Sequence, residues 1–391
     1  MYTQNTPIHV SLWHRGFWLL AIANMLLSMS VYMLVPVMPL WLMARFGMAP
    51  LSVGVAMGVY GVGVFLLGGF CSYLIQRYRR NRVCIWSVIG MMVCLALFWV
   101  VAEVVPCREP WMVYVLRLGV GALFGLADMV LASTLIIDQC ESFQRTEANY
   151  AASWFRRFAL SLGPVLSIFC YHVYGFNRVL LLSGITAFVS IVLIRIVKFP
   201  FKAPDDTMTV VSLDRFFLPR AFPLFVNLLM VSTLFGMIVS MEWTEHFYVM
   251  MMAGFLLALL AQKFMFVNAE LRSETVTGLF CLAVALGLML THTSAMVRYV
   301  SPAFVGFGVG LIGSRFLLFF IKLSDHCQRG TSQSTFFLCW ELGMSLGLFV
   351  GYGLLWHQPR RLLLAGLGIV AVALLVYHLF THKWYLKNKN R

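Results

Sequence analysis

The chain alternates long apolar segments with short polar connections. A spanning helix needs about 20 largely apolar residues, and in lipid its backbone must satisfy its own hydrogen bonds. The pattern therefore predicts an all-α membrane protein with twelve transmembrane helices. The apolar runs lie at 16–40, 51–76, 83–103, 111–137, 149–174, 177–198, 222–241, 245–267, 276–292, 301–322, 332–355 and 361–381.

The composition agrees with a membrane environment and excludes a soluble globular fold. Of the 391 residues, 61% are hydrophobic and 11% are charged, whereas soluble domains are about 45–50% apolar and about 25% charged. The formal net charge of +14 would suggest nucleic-acid binding in a soluble protein. In a membrane protein it is better explained by basic cytoplasmic loops, so we expect the lipid bilayer as a partner and no nucleic acid.

Lys and Arg are distributed unevenly between alternate loops. If the N-terminus lies in the cytoplasm, segments on that side hold 18 of the 29 basic residues, the opposite side holds 6, and 5 lie within apolar runs. Basic residues accumulate in the cytoplasmic loops of membrane proteins. The bias predicts a multi-pass protein of the cell membrane, the inner membrane in a Gram-negative cell, with both termini in the cytoplasm.

The chain divides into two similar halves. The longest connection is 199–221, and short sequence matches recur on either side of it at offsets of 184–187 residues, as between 138–140 and 325–327. Two parallel six-helix repeats are a known transporter plan, with the substrate site between them near the bilayer midplane. We therefore expect an N-terminal six-helix bundle (1–198), a cytoplasmic linker (199–221) and a C-terminal six-helix bundle (222–391).

One polar loop carries a family resemblance. Residues 72–82 read Ser-Tyr-Leu-Ile-Gln-Arg-Tyr-Arg-Arg-Asn-Arg. This stretch resembles the loop between helices 2 and 3 of the major facilitator superfamily, Gly-x-Leu-Ala-Asp-Arg-x-Gly-Arg-Arg. Gln76 stands at the position of the family's acidic residue, and Arg77, Arg80 and Arg82 keep the loop basic. The resemblance implies a gating role for these four residues.

Two further segments are similar to the same family. Residues 117–121, Arg-Leu-Gly-Val-Gly, resemble the Arg-x-x-x-Gly pattern of its fourth helix, and Gly163-Pro164 resembles part of an antiporter motif on its fifth. The resemblance covers the whole chain in topology. It implies two six-helix bundles that rock around a central site, usually driven by a proton gradient.

Charged residues inside the apolar runs are the main candidates for substrate binding and proton coupling. A charge at the bilayer centre costs about 2.5–3.5 kcal/mol on insertion scales, so it needs a partner or a wet cavity. The structural alternative is a static ion pair that only holds helices together. The candidates are Arg117, Asp128, Arg157, Arg315 and Glu341.

The repeat relates four of these charges as sign-swapped sets. Asp128 corresponds to Arg315, and Arg157 corresponds to Glu341, at similar depths in their runs. We therefore predict an ion pair between Asp128 and Arg157 in the first half. The second half is predicted to hold the corresponding pair of Arg315 with Glu341. The alternative is an exchange of partners between the halves, which would latch the bundles together.

Uncharged polar residues mark two more apolar runs. Asn24, Ser28 and Tyr32 recur at helical spacing along the first run, and Asn227 lies in the seventh. In the resembled fold the first helix lines the cavity, so substrate contact is one interpretation. Hydrogen bonding between helices is the other.

Glycines also recur at near-helical spacing in two runs. Small faces of this kind let helix backbones approach closely. We interpret them as surfaces on which the bundles slide, with static packing inside one bundle as the alternative. They are Gly54, Gly58 and Gly61 in the second run and Gly343, Gly347 and Gly351 in the eleventh.

The sequence does not indicate an enzyme. It has no phosphate-binding loop, no zinc-spaced His/Cys set and no nucleophile elbow. Its nine cysteines are scattered, mostly through apolar runs, and are read as packing residues. We expect no cofactor and no bound metal.

These observations favour a secondary transporter that acts as a monomer. It is expected to move a small-molecule substrate by alternating access, with protons as the coupling ion. Because few polar residues lie on the cavity helices, we expect export of an amphipathic compound. Import of a metabolite is one alternative, and a non-transporting receptor on the same fold is another.

Overall fold

The secondary structure is helical throughout the part of the chain that the structure describes, with no β-strand there. Cys107, Cys327 and part of the predicted linker lie outside it. The computed structural model describes residues 11–104, 110–199, 209–291, 294–325 and 328–389.

Twelve long helices follow one another along these ranges, one for each predicted apolar run. The first six are α1 (Arg15–Phe46), α2 (Pro50–Arg77), α3 (Arg80–Val104), α4 (Trp111–Asp138), α5 (Arg145–Tyr174) and α6 (Phe176–Ile196). The second six are α7 (Pro219–Val239), α8 (Glu245–Phe264), α9 (Ser273–Thr291), α10 (Ala295–Leu323), α11 (Arg329–Leu354) and α12 (Pro359–Asn388).

Eleven of the described helices are long and apolar enough to cross a membrane, judged by length and composition. The remaining long helix is α5, whose 30 residues include Arg145, Glu147, Arg156 and Arg157. An all-helical, multi-pass membrane protein is therefore confirmed. The assignment of α5 as a twelfth span stays a prediction.

Helices pack mainly with others of the same half. In the first half α1 packs on α5 and α6, and α4 packs on α2 and α3. In the second half α10 packs on α8 and α9, and α11 packs on α7. The halves meet where α2 lies against α11 and where α5 lies against α8 and α10. A site between the halves is therefore bounded by these helices.

Two helices at this junction are distorted. α4 contains a π-helical turn at Leu131–Leu135, and α11 ends in one at Phe349–Leu354. The turn in α4 packs on α11, and the turn in α11 packs on α2. Such turns occur often at functional sites, and here both lie along the boundary between the halves.

The two glycine faces pack differently. A Cβ placed on Gly54 of α2 would lie 2.6 Å from the Cα of Gly353, so α2 presents its glycines to α11 across the halves. A Cβ on Gly347 of α11 would lie 2.7 Å from the Cα of Gly236 in α7, which belongs to the same half. The assignment of the α11 glycines to a sliding surface is therefore wrong, and static packing describes them.

The halves contact each other at both ends of the junction. At the end where α2 begins, Nδ1 of His172 on α5 lies 3.3 Å from Oε1 of Glu245 on α8. At the opposite end, the Tyr150 hydroxyl of α5 donates a hydrogen bond of 2.5 Å to Gln262 of α8. α5 thus contacts α8 of the other half at both ends of the junction.

Candidate substrate and coupling site

Glu341 on α11 is the centre of a buried network that joins the two halves. Its side chain is fully buried. The Tyr32 hydroxyl of α1 donates to its Oε1 at 2.5 Å, and the Tyr60 hydroxyl of α2 donates to its Oε2 at 3.1 Å. Both carboxyl oxygens are therefore held by hydroxyl groups of the other half.

Local backbone structure places Tyr32 in this contact. α1 is interrupted at Met33. Pro36, four residues after Tyr32, has no N–H to donate to the Tyr32 carbonyl, and proline inside a helix kinks or breaks it for this reason. The polar stripe of α1 thus reaches the centre of the molecule at the break in the helix.

Arg117 on α4 extends the network from Tyr60. Its guanidinium lies 4.8 Å from the centre of the Tyr60 ring, and its Nε donates to the Ala56 carbonyl at 3.3 Å. Only 2% of the residue is exposed. Its Nη1 has no hydrogen-bond partner among the described residues. Arg117 is therefore a buried cation with spare hydrogen-bonding capacity.

Asp128 is paired with Arg156 of α5. The predicted pair with Arg157 is therefore wrong, although the two helices were chosen correctly. Consecutive residues differ by only about 1.5 Å in depth but point about 100° apart around a helix, and the repeat offset and matching depth that favoured Arg157 do not determine this direction. Arg156 also stacks on Phe337 of α11 at 4.2 Å and interacts electrostatically with Glu341.

Arg157 points toward the second half without an ion-pair partner in the described ranges. Its Nη1 donates to Ser153 at 3.0 Å, and its guanidinium lies 4.8 Å from the Trp154 ring centre. Across the junction, a Cβ on Gly313 of α10 would lie 3.0 Å from its Nη2. Arg157 thus fills the space that this glycine leaves open.

Arg315 on α10 is paired with Glu274 of α9. The predicted pair of Arg315 with Glu341 is therefore wrong, and so is the exchange of partners with Asp128. Gln262 donates to Glu274 at 2.8 Å and accepts from Tyr150 of α5. This second network runs from α9 through α8 to the first half, away from Glu341.

For the remaining polar candidates the two interpretations are substrate contact and hydrogen bonding between helices, and the candidates differ in this respect. Asn24 donates to the Ala152 carbonyl of α5 at 3.3 Å, and Asn227 donates to the Ala373 carbonyl of α12 at 3.0 Å. Both bonds join helices of one half. Ser28 is fully buried, and its hydroxyl has no partner among the described residues. Of the stripe on α1, only Tyr32 contacts Glu341.

The basic loop between α2 and α3 lies at the end of the molecule. Arg80 pairs with Asp138 at the end of α4, and Gln76 donates to Ser72 at 3.0 Å. Arg77 and Arg82 are exposed. The loop is therefore fixed to α4 through Arg80, and the gating role of its four candidates stays a prediction.

Sequence reasoning missed Tyr60, Glu274 and the acceptor role of Glu341 toward tyrosines. Tyr60 left a signal, since a hydroxyl in an apolar helix needs a partner. Glu274 lies just before the ninth predicted apolar run, where the long side chain of Arg315 reaches it. Across the described residues, no group of three His, Cys, Asp or Glu side chains could hold a metal ion.

Comparisons with known proteins agree with this architecture. Among solved structures, a bacterial homologue of the iron transporter ferroportin in the outward-facing state has 18% identity, covers 95% of this chain and 99% of its own, and has a TM-score of 0.64. The POT family transporter PepTSo has 10% identity, coverage of 96% and 99%, and a TM-score of 0.70. The human organic anion transporter MFSD10 has 13% identity, coverage of 93% and 98%, and a TM-score of 0.66.

At such identities these structures establish the fold alone. No match is found among curated protein sequences. The sequence profile of the Major Facilitator Superfamily matches residues 20–348, which is most of the chain. The protein therefore belongs to the major facilitator superfamily and is a membrane transporter, not an enzyme.

Proposed function

We propose that this protein is a proton-coupled secondary transporter in which Glu341 is the proton-binding group. It acts as a monomer in the cell membrane, with both termini in the cytoplasm. The halves 1–198 and 222–391 alternate access to the site between them, and 199–221 links them. The observation that carries the proposal is a fully buried carboxyl group held by two hydroxyls of the opposite half.

α5 is included as the twelfth span. Its 30 residues give a length of about 45 Å at 1.5 Å per residue, which exceeds the hydrocarbon thickness of about 30 Å. Its central charges are turned inward, since Arg156 pairs with Asp128 and Arg157 reaches α10. Its outward surface carries apolar residues such as Phe169 and Val173. The low apolar content of α5 therefore reflects its inner face.

Protonation of Glu341 would change the contact between the halves. An ionised carboxylate only accepts hydrogen bonds, whereas a protonated carboxyl group also donates one. The ionised form suits two tyrosine donors. In the protonated form one carboxyl oxygen carries a hydrogen, which conflicts with two tyrosine hydroxyls that both donate to the group. The neutral group also loses its electrostatic attraction to Arg156. Proton binding would therefore weaken the link from α11 to α1 and α2 and favour separation of the halves.

The charges at the centre support import over the export that the sequence favours. Export is expected from the sequence because few polar residues lie on the cavity helices. The middle parts of α1, α5 and α11 instead bury polar groups besides the charged ones, among them Ser28, Ser161 and Ser345. We propose uptake of a polar or charged metabolite with the inward proton gradient. Export of an amphipathic compound is the competing outcome.

The test begins with a thermal-shift screen of purified protein against metabolite and drug libraries. Compounds that bind, and that do not enter protein-free liposomes, are then offered to proteoliposomes with a pH gradient. We expect accumulation on the alkaline side. A bound compound that shows neither accumulation nor counterflow exchange would identify a receptor and contradict transport.

A further inference from the structure

We infer that the solute carries an anionic group and binds together with the proton that neutralises Glu341. This inference rests on the proposed function and names the substrate class of the same site. The observation behind it is the balance of buried charges around Glu341, together with an arginine that has no acidic partner in the described structure.

Apart from Arg157, which is turned toward Gly313 of α10, the central cluster holds two cations and two anions. Arg117 and Arg156 are balanced by Asp128 and Glu341 when both acids are ionised. Asp128 is committed to Arg156 by a direct ion pair. Within the part of the chain that the structure describes, Arg117 has no direct contact with an acid. It stacks on the Tyr60 ring, and the Tyr60 hydroxyl donates to Glu341. Protonation of Glu341 therefore leaves one positive charge in excess, and a buried charge without a partner is costly. An anion at Arg117 would restore the balance.

Arg117 has the geometry that an anion requires. Its guanidinium has an unpaired Nη1 donor, and the side chain is held in place by the Ala56 carbonyl and the Tyr60 ring. A planar guanidinium binds carboxylate or phosphate oxygens through two parallel hydrogen bonds. A fixed and buried guanidinium loses little conformational entropy when it does so.

Aromatic rings connect Arg117 with Arg156. The Tyr60 ring centre lies 6.2 Å from the Phe124 ring centre, and the Phe124 ring centre lies 5.9 Å from the Phe337 ring centre. The guanidinium of Arg156 stacks on the Phe337 ring. This row of rings offers an apolar surface between two cations. It fits the organic body of a small amphipathic acid whose anionic group reaches Arg117.

The sign of the coupling follows from the groups that face Glu341. They are Tyr32 from α1, Tyr60 from α2 and Arg156 from α5. α4, α7 and α10 also pack on α11, but in the described ranges they place no titratable side chain in hydrogen-bond or ion-pair contact with Glu341. An anion at Arg117 favours the neutral form of Glu341, so anion and proton bind cooperatively and cross in the same direction. A cationic solute would compete with the proton and cross in the opposite direction.

The test uses a panel of small amphipathic acids, each with the amine and the amide of the same carbon skeleton. Binding to the purified protein is measured by thermal shift and calorimetry at mildly acidic and mildly alkaline pH. We expect acids to bind and the matched amines and amides not to. Their affinity should rise by up to about tenfold for each unit by which the pH falls.

Single substitutions test whether the pH dependence comes from Glu341 and the affinity for acids from Arg117. Glu341→Gln should bind acids equally well at both pH values, because its side chain cannot ionise. Arg117→Lys should bind them at least tenfold more weakly, whereas Arg360→Ala, an exposed arginine at the start of α12, should match the wild type. Binding of amines, or of no acid in the panel, overturns the inference. Acids that bind with this pH dependence but never cross the membrane would instead refute the proposed transport.

A second inference comes from the linker. Residues 211–218, here called the strap, lie between the two halves at the end where α2 finishes and α11 begins. The Ser212 amide donates to the Gly69 carbonyl of the first half at 2.9 Å. The Arg215 and Leu218 amides each donate at 2.8 Å to hydroxyls of α11. The strap is thus hydrogen-bonded to both halves through its backbone.

Asp214 is the central side chain of the strap. It accepts from Ser72 of α2 at 3.3 Å and from Thr331 in the first turn of α11 at 3.1 Å. A negative charge is favoured at a helix N-terminus. The loop position that resembles the family's acidic residue holds Gln76, and Gln76 is bonded to the same Ser72. We propose that Asp214 supplies the missing acid from the linker and that the strap keeps this end closed until it is released.

The strap is tested by hydrogen exchange on the purified protein. Asp214→Ala should speed exchange of the amides near Ser72 and Thr331, while Val211→Ala, an exposed position in the same segment, should not. The opposite end of the junction, around Gly353, serves as an internal control and should keep its protection. Unchanged exchange near Ser72, or equal loss at both ends, would contradict a local gate.

Discussion

Replacing Glu341 by glutamine is expected to abolish proton-driven accumulation of the solute while exchange of the solute across the membrane continues. Glutamine matches glutamate in size, but its amide has one acceptor oxygen and one NH2 donor where the carboxylate accepts from both Tyr32 and Tyr60, so it resembles the protonated carboxyl group. It cannot ionise, so the link from α11 to α1 and α2 stays weakened, as it is when Glu341 is protonated. The cycle then runs without a proton, and a gradient of about one pH unit, worth about tenfold accumulation in the wild type, should give none.

Two assays on the same proteoliposomes measure this effect. Uptake against a concentration gradient reports the coupled cycle, and counterflow under equal pH reports exchange alone. Glu341→Asp keeps the acid and serves as the matched control, with accumulation reduced but present. Normal accumulation by Glu341→Gln would exclude Glu341 as the coupling group.

Replacing Arg156 by leucine is expected to destabilise the protein strongly. The substitution leaves Asp128 buried and without its ion-pair partner, and Asp128 is fully buried. Removing one member of a buried pair costs about 3–5 kcal/mol. The packing of the guanidinium on Phe337 is lost as well. Thermal unfolding in detergent should show a clear fall in the midpoint.

Removing both charges of the Asp128–Arg156 pair distinguishes the effect of the lost ion pair from the effect of lost packing. The double variant Asp128→Asn with Arg156→Gln leaves no buried charge unpaired, so it should recover most of the stability. If Asp128→Asn alone, Arg156→Gln alone and the double variant were equally unstable, the loss would come from packing and not from the ion pair. Arg157→Gln is the control on the neighbouring position, and it should cost less because Arg157 is bonded to Ser153 and not to an acid.

The sequence was sufficient for the helices because lipid imposes one rule on all of them. Every spanning segment must be apolar over its length, and that rule located the eleven described helices that are long and apolar enough to span. α5 shows the limit of the rule. Its inner face carries Arg156 and Arg157, which lower its apolar content although its outward residues are apolar. Composition averages the two faces, and only packing separates them.

Partners of the buried charges could not be derived in the same way. The repeat correctly brought Asp128 to the level of α5, but depth does not distinguish Arg156 from Arg157. The choice depends on the rotation of α5 about its axis, which is set by contacts with α1 in its own half and with α8 and α10 in the other half. The same reason explains the glycines of α11, since Gly347 lies at the right spacing for a sliding face but points to α7.

Glu341 illustrates a different limit. Its importance could be predicted, because a lone acid in an apolar helix is costly unless it is used. Its partners could not, since Tyr32 and Tyr60 come from the opposite half and are separated from it by 309 and 281 residues along the chain. Such contacts form only when two complete bundles meet. They are specified by the packing of whole surfaces and not by any local pattern.

The most direct test of the account is the movement of protons during solute uptake. A pH-sensitive dye is enclosed in proteoliposomes, and the best-binding acid that does not permeate protein-free liposomes is added outside. The account predicts acidification of the interior as the acid enters with the wild-type protein, and entry without acidification with Glu341→Gln. Acid entry without proton movement in the wild type, or an interior that becomes alkaline, would contradict it.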